Sequence, residues 1–174
     1  MNECKETAIV AFGTNIEPRF EWLKKMKTEV EIAFGSNICW SRAWESTPVG
    51  GALGDLNYLN GAFLTSTSLD STGFLLKLKE LERTIGRTPR DRWGAREMDL
   101  DLIYYGNQVL QTPLMTVPHI ERARRWFVMK PVAEVAPRWV DPILGKTTQE
   151  LADALQSEAH LKIYTWEDIY VQSP

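Results

Sequence analysis

Six segments in the order strand, helix, strand, strand, helix, strand occupy the first two-thirds of the chain, and this order predicts an α+β fold with a ferredoxin-like βαββαβ core. Four of the segments are short runs rich in strand-forming residues, whereas two repeat their apolar residues every three or four positions. The last third adds helical and short-strand segments to this core. With 174 residues, 44% of them hydrophobic, the chain fits a single domain over residues 1–174.

The first half of the core is predicted as one strand, one helix and a hairpin. Residues 7–12 form an apolar strand that Gly13 closes. In the helix that follows, four apolar residues share one face: Phe20, Leu23, Met26 and Val30. The second and third strands are predicted over 38–44 and 58–67, and they pair across a loop, 47–55, that contains one proline and three glycines.

The second half of the core begins with a helix that either Ser71 or Thr72 can cap and that Gly86 ends. A charged loop over 87–97 leads to the fourth strand, 98–105.

Beyond the core, Gly106-Asn107 forms a turn. A short helix is expected near 121–126, and another helix begins near Thr147 or Thr148.

Composition and charge exclude several classes of protein. The formal net charge of −3 argues against a general nucleic-acid binder, which normally needs a basic surface. Cys4 and Cys39 have no metal-ligand spacing and are expected as free thiols in a reducing cytoplasm. No segment reaches the roughly 18 apolar residues of a membrane span, and no exposed apolar stripe stands out. A cytoplasmic monomer without a membrane partner is therefore expected.

The pair Asp99 and Asp101 is the most informative feature of the fourth strand. Residues two apart on a strand point to the same face, so the two carboxylates project together roughly 6–7 Å apart, while Leu100 and Leu102 face the core. Two hard oxygen ligands at this separation suit Mg²⁺, which completes its shell with water and substrate phosphates. The alternative is a half-exposed strand that keeps acidic residues on its solvent side.

Arginines crowd the loop that leads into this strand: Arg87, Arg90, Arg92 and Arg96. Acids that hold a cation and arginines that bind oxyanions are the two halves of a phosphoryl-transfer site. Gly86 and Gly94 would let the loop close over a ligand and open again. A static loop whose arginines pair with Asp91 and Glu97 is the competing interpretation.

Two further motifs could contribute to a phosphate site. His119 precedes a second arginine-rich segment, which contains Arg122, Arg124 and Arg125. There His119 could donate a hydrogen bond to a phosphate, although a lone histidine more often has a structural role. The triplet Gly13-Thr14-Asn15 lies between a strand and a helix, where small residues let a ligand approach, although a simple helix cap explains it equally well. The chain has no phosphate loop of the Walker type.

Together these motifs resemble those of the 6-hydroxymethyl-7,8-dihydropterin pyrophosphokinase family. The matching pieces are, in chain order, Gly13-Thr14-Asn15; Ser46-Thr47-Pro48; Tyr58-Leu59-Asn60; Glu82 with Gly86-Arg87; Arg92-Trp93-Gly94-Ala95-Arg96 with Asp99-Leu100-Asp101; Val117-Pro118-His119; Arg125-Trp126-Phe127-Val128; and Glu134-Val135-Ala136-Pro137. They span nearly the whole chain. The resemblance implies transfer of pyrophosphate from ATP to the pterin's hydroxymethyl group, with AMP as the second product, in folate biosynthesis.

The resemblance also implies a role for individual residues. Asp99 and Asp101 would bind two Mg²⁺ ions with ATP, and the catalytic set would be completed by Arg92 and Arg96. The ATP-binding residues implied are Glu82, Arg87, Arg92, Thr116, His119 and Arg125. The pterin-binding residues implied are Thr47, Pro48, Tyr58, Asn60, Trp93 and Phe127.

Three alternatives remain at this point. A non-catalytic RNA-binding module shares the same strand and helix order, but it usually carries exposed aromatic residues and a basic face. A different magnesium-dependent nucleotide enzyme would turn over ATP without a pterin. An inactive family member would bind the pterin and not react.

Overall fold

The computed structural model describes residues 5–48, 56–86, 97–155 and 162–171. The described elements, in chain order, are β1 (Glu6–Thr14), α1 (Arg19–Phe34), β2 (Cys39–Trp40), β3 (Ala43–Ser46), β4 (Tyr58–Thr67), α2 (Ser71–Ile85), β5 (Asp99–Tyr105), β6 (Leu110–Gln111), β7 (Thr116–Val117), a 3₁₀ turn (Arg122–Arg124), α3 (Trp126–Val135), α4 (Thr148–Ala154), β8 (Ile163–Tyr164) and α5 (Trp166–Val171). The predicted α+β class is confirmed.

One antiparallel sheet organises the fold. Its strands run in the order β5-β1-β4-β3-β8, and β2 pairs with β4 beside this path. The predicted hairpin is present, because β3 pairs with β4 in an antiparallel register from Trp44↔Asn60 to Ser46↔Tyr58. A separate two-stranded sheet joins β6 and β7.

The second predicted strand, 38–44, is broken into β2 and β3 at Ser41 and Arg42. Ser41 Oγ accepts a hydrogen bond from Ala62 N at 2.8 Å and donates one to Arg42 O. A serine side chain thus takes over a backbone partner of β4 at the break, which a hydrophobic pattern alone does not reveal.

Helices cover both faces of the sheet. On one face, α1, α2 and α5 enclose a core that includes Phe63, Leu100 and Leu102. On the other face, α3 and α4 enclose a core that includes Ala11 and Ala62. Leu100 and Leu102 are buried as predicted, and each contributes on the order of 2 kcal/mol through its burial. The predicted division of β5 into a core side and a polar side is therefore confirmed.

The helix ends partly follow the predictions. α2 is capped by Asp70, not by Ser71 or Thr72, and Asp70 Oδ1 accepts a hydrogen bond from Gly73 N at 2.7 Å. A carboxylate at this position also interacts favourably with the helix dipole. Gly86 ends α2 as predicted, with a φ of +124° that favours glycine. Thr147 caps α4 through a capping box with Glu150.

A short helix is present inside the predicted range 121–126, as the 3₁₀ turn of Arg122–Arg124. The sequence did not predict the separate helix α3, which follows from Trp126 to Val135 with Pro131 in its interior. Proline removes a backbone donor and weakens an isolated helix, but burial of Met129 and Val132 against the sheet compensates here. No helix in the four described ranges has the length and apolar character needed to cross a membrane.

Candidate active site

A row of paired residues crosses the sheet at the end of β1. Asp99 of β5 lies opposite Gly13 of β1, Gly13 lies opposite Asn60 of β4, and Asn60 lies opposite Trp44 of β3. Paired residues in an antiparallel sheet point to the same face, so Asp99 and Asn60 flank the glycine. A Cβ atom at position 13 would lie only 3.2 Å from Asn60 Oδ1. Glycine therefore keeps a gap open between the carboxylate and the amide.

Asp101 lies one step further along the same face, opposite Ala11. Ala11 packs in the core beneath α3, so both carboxylates and Asn60 lie on the α3 side of the sheet. Within the described ranges, no group of three or more His, Cys, Asp and Glu side chains could hold a metal ion. The two half-buried carboxylates fit Mg²⁺, which needs only one or two protein carboxylates when phosphates and water supply its other ligands.

Glu82 of α2 holds the backbone of β5 between the two aspartates. Its side chain is 3% exposed, and its Oε1 atom accepts hydrogen bonds from Leu100 N at 2.8 Å and from Lys79 Nζ at 2.7 Å. Lys79 Nζ also donates to Leu100 O at 3.2 Å. Because β5 ends the described sheet, these side chains bond to backbone groups that no neighbouring strand of that sheet reaches. Glu82 thus fixes the strand that carries both aspartates.

His119 is held beside β5 by its backbone and its ring. Its N–H donates to Ile103 O at 3.0 Å, and its Nδ1 atom accepts from Glu121 N at 3.3 Å. Ile103 has no partner on β1 because the register shifts there, and such a bulge redirects local groups.

The protonation state of His119 follows from these surroundings. Burial lowers the pKa of His119 below its usual value; Asp101 opposes this effect, and Arg125 reinforces it. The ring is therefore neutral near pH 7. Because Nδ1 is an acceptor, the neutral ring carries its proton on Nε2, where it can donate a hydrogen bond to an anion.

A cleft of about 370 Å³ opens next to Asp101. Its polar lining includes Lys79, Asp101, Thr116 and His119. Its other described lining residues are Leu75, Leu100, Leu102, Thr112, Pro113, Leu114, Met115, Val117 and Ile120. Thr116 and His119, which the sequence assigned to ATP, therefore share one cleft with a predicted metal ligand. An apolar cleft with a few convergent polar groups is typical of a small-molecule site.

Three of the residues predicted for the pterin, Thr47, Pro48 and Tyr58, belong to the β3–β4 hairpin that carries Asn60. Asn60 is buried, and its Nδ2 atom donates to Ser46 Oγ at 2.9 Å. Ser46 pairs with Tyr58, so the exposed Thr47 and the half-buried Pro48 continue from β3 next to the start of β4.

Phe127 lies in the first turn of α3, half-buried, with its ring centroid 6.0 Å from that of Trp126 at an angle of 84°. It therefore belongs to the helix that covers the same face of the sheet as Asn60 and the two aspartates.

Four of the predicted site residues, Arg87, Arg92, Trp93 and Arg96, lie outside the described residues, as do Arg90 and the loop 49–55.

Arg122, which the sequence placed in an arginine cluster beside His119, is instead 5% exposed and bonded to Asp141 through two hydrogen bonds. Nineteen residues separate the partners, and no local pattern indicates the pair.

Residues 9–137 match the model of the 7,8-dihydro-6-hydroxymethylpterin-pyrophosphokinase (HPPK) family. The 2-amino-4-hydroxy-6-hydroxymethyldihydropteridine pyrophosphokinase of Synechocystis is 34% identical over 87% of this chain and 77% of its own length. The protein of the same name from Aquifex aeolicus is 32% identical over 83% of this chain and 89% of its own.

Among solved structures, the fold resembles wild-type Plasmodium falciparum HPPK-DHPS with pteroate, with a TM-score of 0.68 and 10% identity over 86% of this chain. The likeness covers 42% of that longer chain, and at this identity it concerns the fold alone. The family model, in contrast, covers most of the present sequence and includes both aspartates, His119 and Phe127. The chain therefore belongs to the 7,8-dihydro-6-hydroxymethylpterin-pyrophosphokinase family.

Proposed function

We propose that the chain carries out the reaction of its family, transfer of pyrophosphate from ATP to the hydroxymethyl group of 6-hydroxymethyl-7,8-dihydropterin in folate biosynthesis, with two Mg²⁺ ions held by Asp99 and Asp101. One observation carries this proposal. Asp101 shares a cleft with Thr116 and His119, whereas Asp99 continues through Gly13 to Asn60. This arrangement supports a site in which a nucleotide side and a pterin side meet at the two carboxylates.

The nucleotide is proposed to occupy the cleft beside Asp101, with its base against the apolar walls and its phosphates towards β5. The neutral ring of His119 would donate its Nε2–H to a phosphate oxygen, and Thr116 and Arg125 would bind other phosphate oxygens. Glu82 supports this site through the backbone of β5.

Bound Mg²⁺ would neutralise phosphate charge and polarise the phosphorus–oxygen bonds of the group that is transferred. Asp99 and Asp101 would hold the Mg²⁺ ions in a defined position, because their strand is fixed on one side by β1 and on the other by Glu82. Arg92 and Arg96 are proposed to stabilise the negative charge that develops during transfer. The catalytic effect would come from positioning and electrostatics, without a covalent intermediate on the protein.

The pterin is proposed to bind beside Asn60. The amide of Asn60 can read the donor and acceptor edge of the ring, and Phe127 can stack on its face. Thr47, Pro48, Tyr58 and Trp93 would complete the pocket. The hydroxymethyl oxygen would then face the β-phosphorus of ATP, and AMP would leave.

The finer fold class is proposed as ferredoxin-like. Strand β4 lies between β1 and β3, and β1 lies between β4 and β5, so each helix connects strands with one other strand between them. This interleaving supports a split βαβ arrangement. We also propose that the chain acts as a monomer in the cytoplasm, which light scattering and cell fractionation would test.

The decisive experiment mixes the protein with ATP, Mg²⁺ and 6-hydroxymethyl-7,8-dihydropterin and separates the nucleotides. AMP and pterin diphosphate should form in equal amounts, and neither should form without pterin or after removal of Mg²⁺ by EDTA. Formation of ADP, turnover of ATP without pterin, or pterin binding without any product would contradict the proposal.

A further inference from the structure

Tyr104, Arg122 and Asp141 form a buried polar network, and none of these three described residues lines the cleft. Asp141 is fully buried and accepts hydrogen bonds from Arg122 Nε at 2.5 Å, Arg122 Nη2 at 2.8 Å and Tyr104 OH at 2.8 Å. The backbone N–H groups of Ile143 and Leu144 donate to its Oδ1 atom, each at 2.9 Å. The carboxylate is thus fully engaged by donors from three segments of the chain.

The third nitrogen of the Arg122 guanidinium makes a different contact. Arg122 Nη1 donates to His119 O at 3.0 Å, and the backbone N–H of Arg122 donates to the same oxygen at 3.2 Å. The other side of His119 is held by Ile103 O, directly before Tyr104 in β5. Both ends of the network therefore reach the backbone that places the His119 ring.

Arg122 also lies in the 3₁₀ turn that separates His119 from Arg125. Its carbonyl accepts from Arg125 N at 3.4 Å. Fixing Arg122 therefore fixes the spacing between two residues that the proposed function assigns to the phosphates of ATP.

We propose that Arg122, anchored by Asp141 and Tyr104, is a positioning residue that holds His119 and Arg125 in place for nucleotide binding. This inference rests on the proposed function, because it assigns the network to the ATP side of that site. Arg122 is not among the described residues that line the cleft, so we assign it no catalytic role.

A purely structural role explains the network less well. A buried ion pair contributes little net stability compared with apolar residues of similar volume, because both charges must be removed from water. An apolar set could therefore fill this space without loss of stability. What it could not supply is the guanidinium donor to the carbonyl of His119.

The test replaces the whole network at once, with the combined substitutions Tyr104→Phe, Arg122→Met and Asp141→Leu. No charge or hydroxyl of the network is then left buried without a partner. Ile143 and Leu144, whose N–H groups lose Asp141 as acceptor, are residues with 56% and 46% exposure, so water can replace the carboxylate there. We expect a melting temperature near that of the parent and a KM for ATP raised about tenfold, with the KM for the pterin changed less than about twofold.

The same comparison is made in a His119→Ala background. In this background only the support of Arg125 is left, so the three substitutions should raise the KM for ATP by a clearly smaller factor than in the parent. An equal increase in both backgrounds, or an unchanged KM for ATP in the first, would overturn the proposal. If the combined variant does not fold, Arg122→Lys serves instead. A lysine ammonium cannot donate to the Asp141 carboxylate and to His119 O at the same time as the planar guanidinium does. The same selective rise in the KM for ATP is therefore expected.

Two readouts separate this proposal from the proposed function. Binding of magnesium α,β-methylene-ATP, measured by calorimetry, does not require turnover and should weaken by the same factor. The chain has only two histidines, so the ring signal of His119 is identified by its loss in His119→Ala and should shift in the combined variant. A parent enzyme that forms no AMP would refute the proposed reaction, whereas an unshifted ring signal would refute the role of Arg122.

Discussion

Glu82→Ala is the substitution whose effect the structure defines most closely. The change removes the acceptor of Leu100 N and the partner of Lys79 in one step. The same helix supplies a matched control, since Lys77 and Glu80 form an ion pair with the same three-residue spacing at 3.0 Å. The two glutamates differ in exposure, because the Glu82 side chain is 3% exposed and the Glu80 side chain 57%.

The magnitude is worked from two of the contacts that are lost, those to Leu100 N and to Lys79. A buried backbone N–H without a partner costs about 1–3 kcal/mol. Lys79 is 41% exposed and can turn to water, so the loss of its ion pair adds at most about 1 kcal/mol. We therefore expect Glu82→Ala to destabilise the fold by about 1–4 kcal/mol, or about 2–16 °C in melting temperature for a chain of this size. Glu80→Ala should change stability by less than about 0.5 kcal/mol.

Urea unfolding followed by circular dichroism measures both variants directly. Glu82→Gln retains an oxygen that can accept from Leu100 N, so it should recover about half of the loss. In the activity assay, Glu82→Ala should also require more Mg²⁺ for half-maximal rate, because the strand between Asp99 and Asp101 loses its support. Equal stability of Glu82→Ala and Glu80→Ala would refute the reasoning.

Three further predictions concern the site and its support. Asp101→Asn should reduce AMP formation by about 1,000-fold or more while the urea midpoint stays near that of the parent, and near-parental turnover would refute the two-acid site. Asn60→Ala should raise the KM for the pterin about tenfold and leave the KM for ATP nearly unchanged; equal changes in both would argue against a pterin contact.

The last of the three concerns acid stability. Burial alone would raise the pKa of Asp141. The hydrogen bonds from Arg122 and other donors outweigh burial and lower this pKa from 3.8 to about 2. Its contribution to stability is therefore complete above the unfolded pKa and is lost as the pH falls from about 4 to about 2. The combined variant Tyr104→Phe, Arg122→Met and Asp141→Leu should not lose this part of its stability between about pH 4 and about pH 2. If the parent and the variant lose stability equally over this pH range, the prediction is wrong.

The sequence predicted the parts of the fold that local patterns control. The third strand was predicted over 58–67, the bounds observed for β4, although the segment contains the turn-forming pair Asn60-Gly61. The two faces of β5 were predicted because its apolar and acidic residues alternate. The end of α2 at Gly86 followed from the special conformation of glycine.

Tertiary contacts decided what the sequence did not predict. The position of α3, with Pro131 inside it, depends on burial against the sheet, which outweighs the low helix propensity of proline. The two-residue strand β8 is too short for a periodic pattern. The sequence grouped Arg122 with the neighbouring arginines. In the structure its guanidinium pairs with the Asp141 carboxylate and also donates a hydrogen bond to His119 O. Such pairings have no signature in local spacing.

The bulge in β5 shows how a local sequence pattern and tertiary contacts act together. Asp101 and Tyr104 lie on the same face of the sheet although they are three positions apart, because Ile103 is unpaired where the register shifts. Before the bulge, this face presents the carboxylates. After it, the same face presents Tyr104 to Asp141, and the carbonyl of Ile103 between them holds His119. One irregular strand therefore places the proposed metal ligands, the nucleotide-binding histidine and the network that supports it.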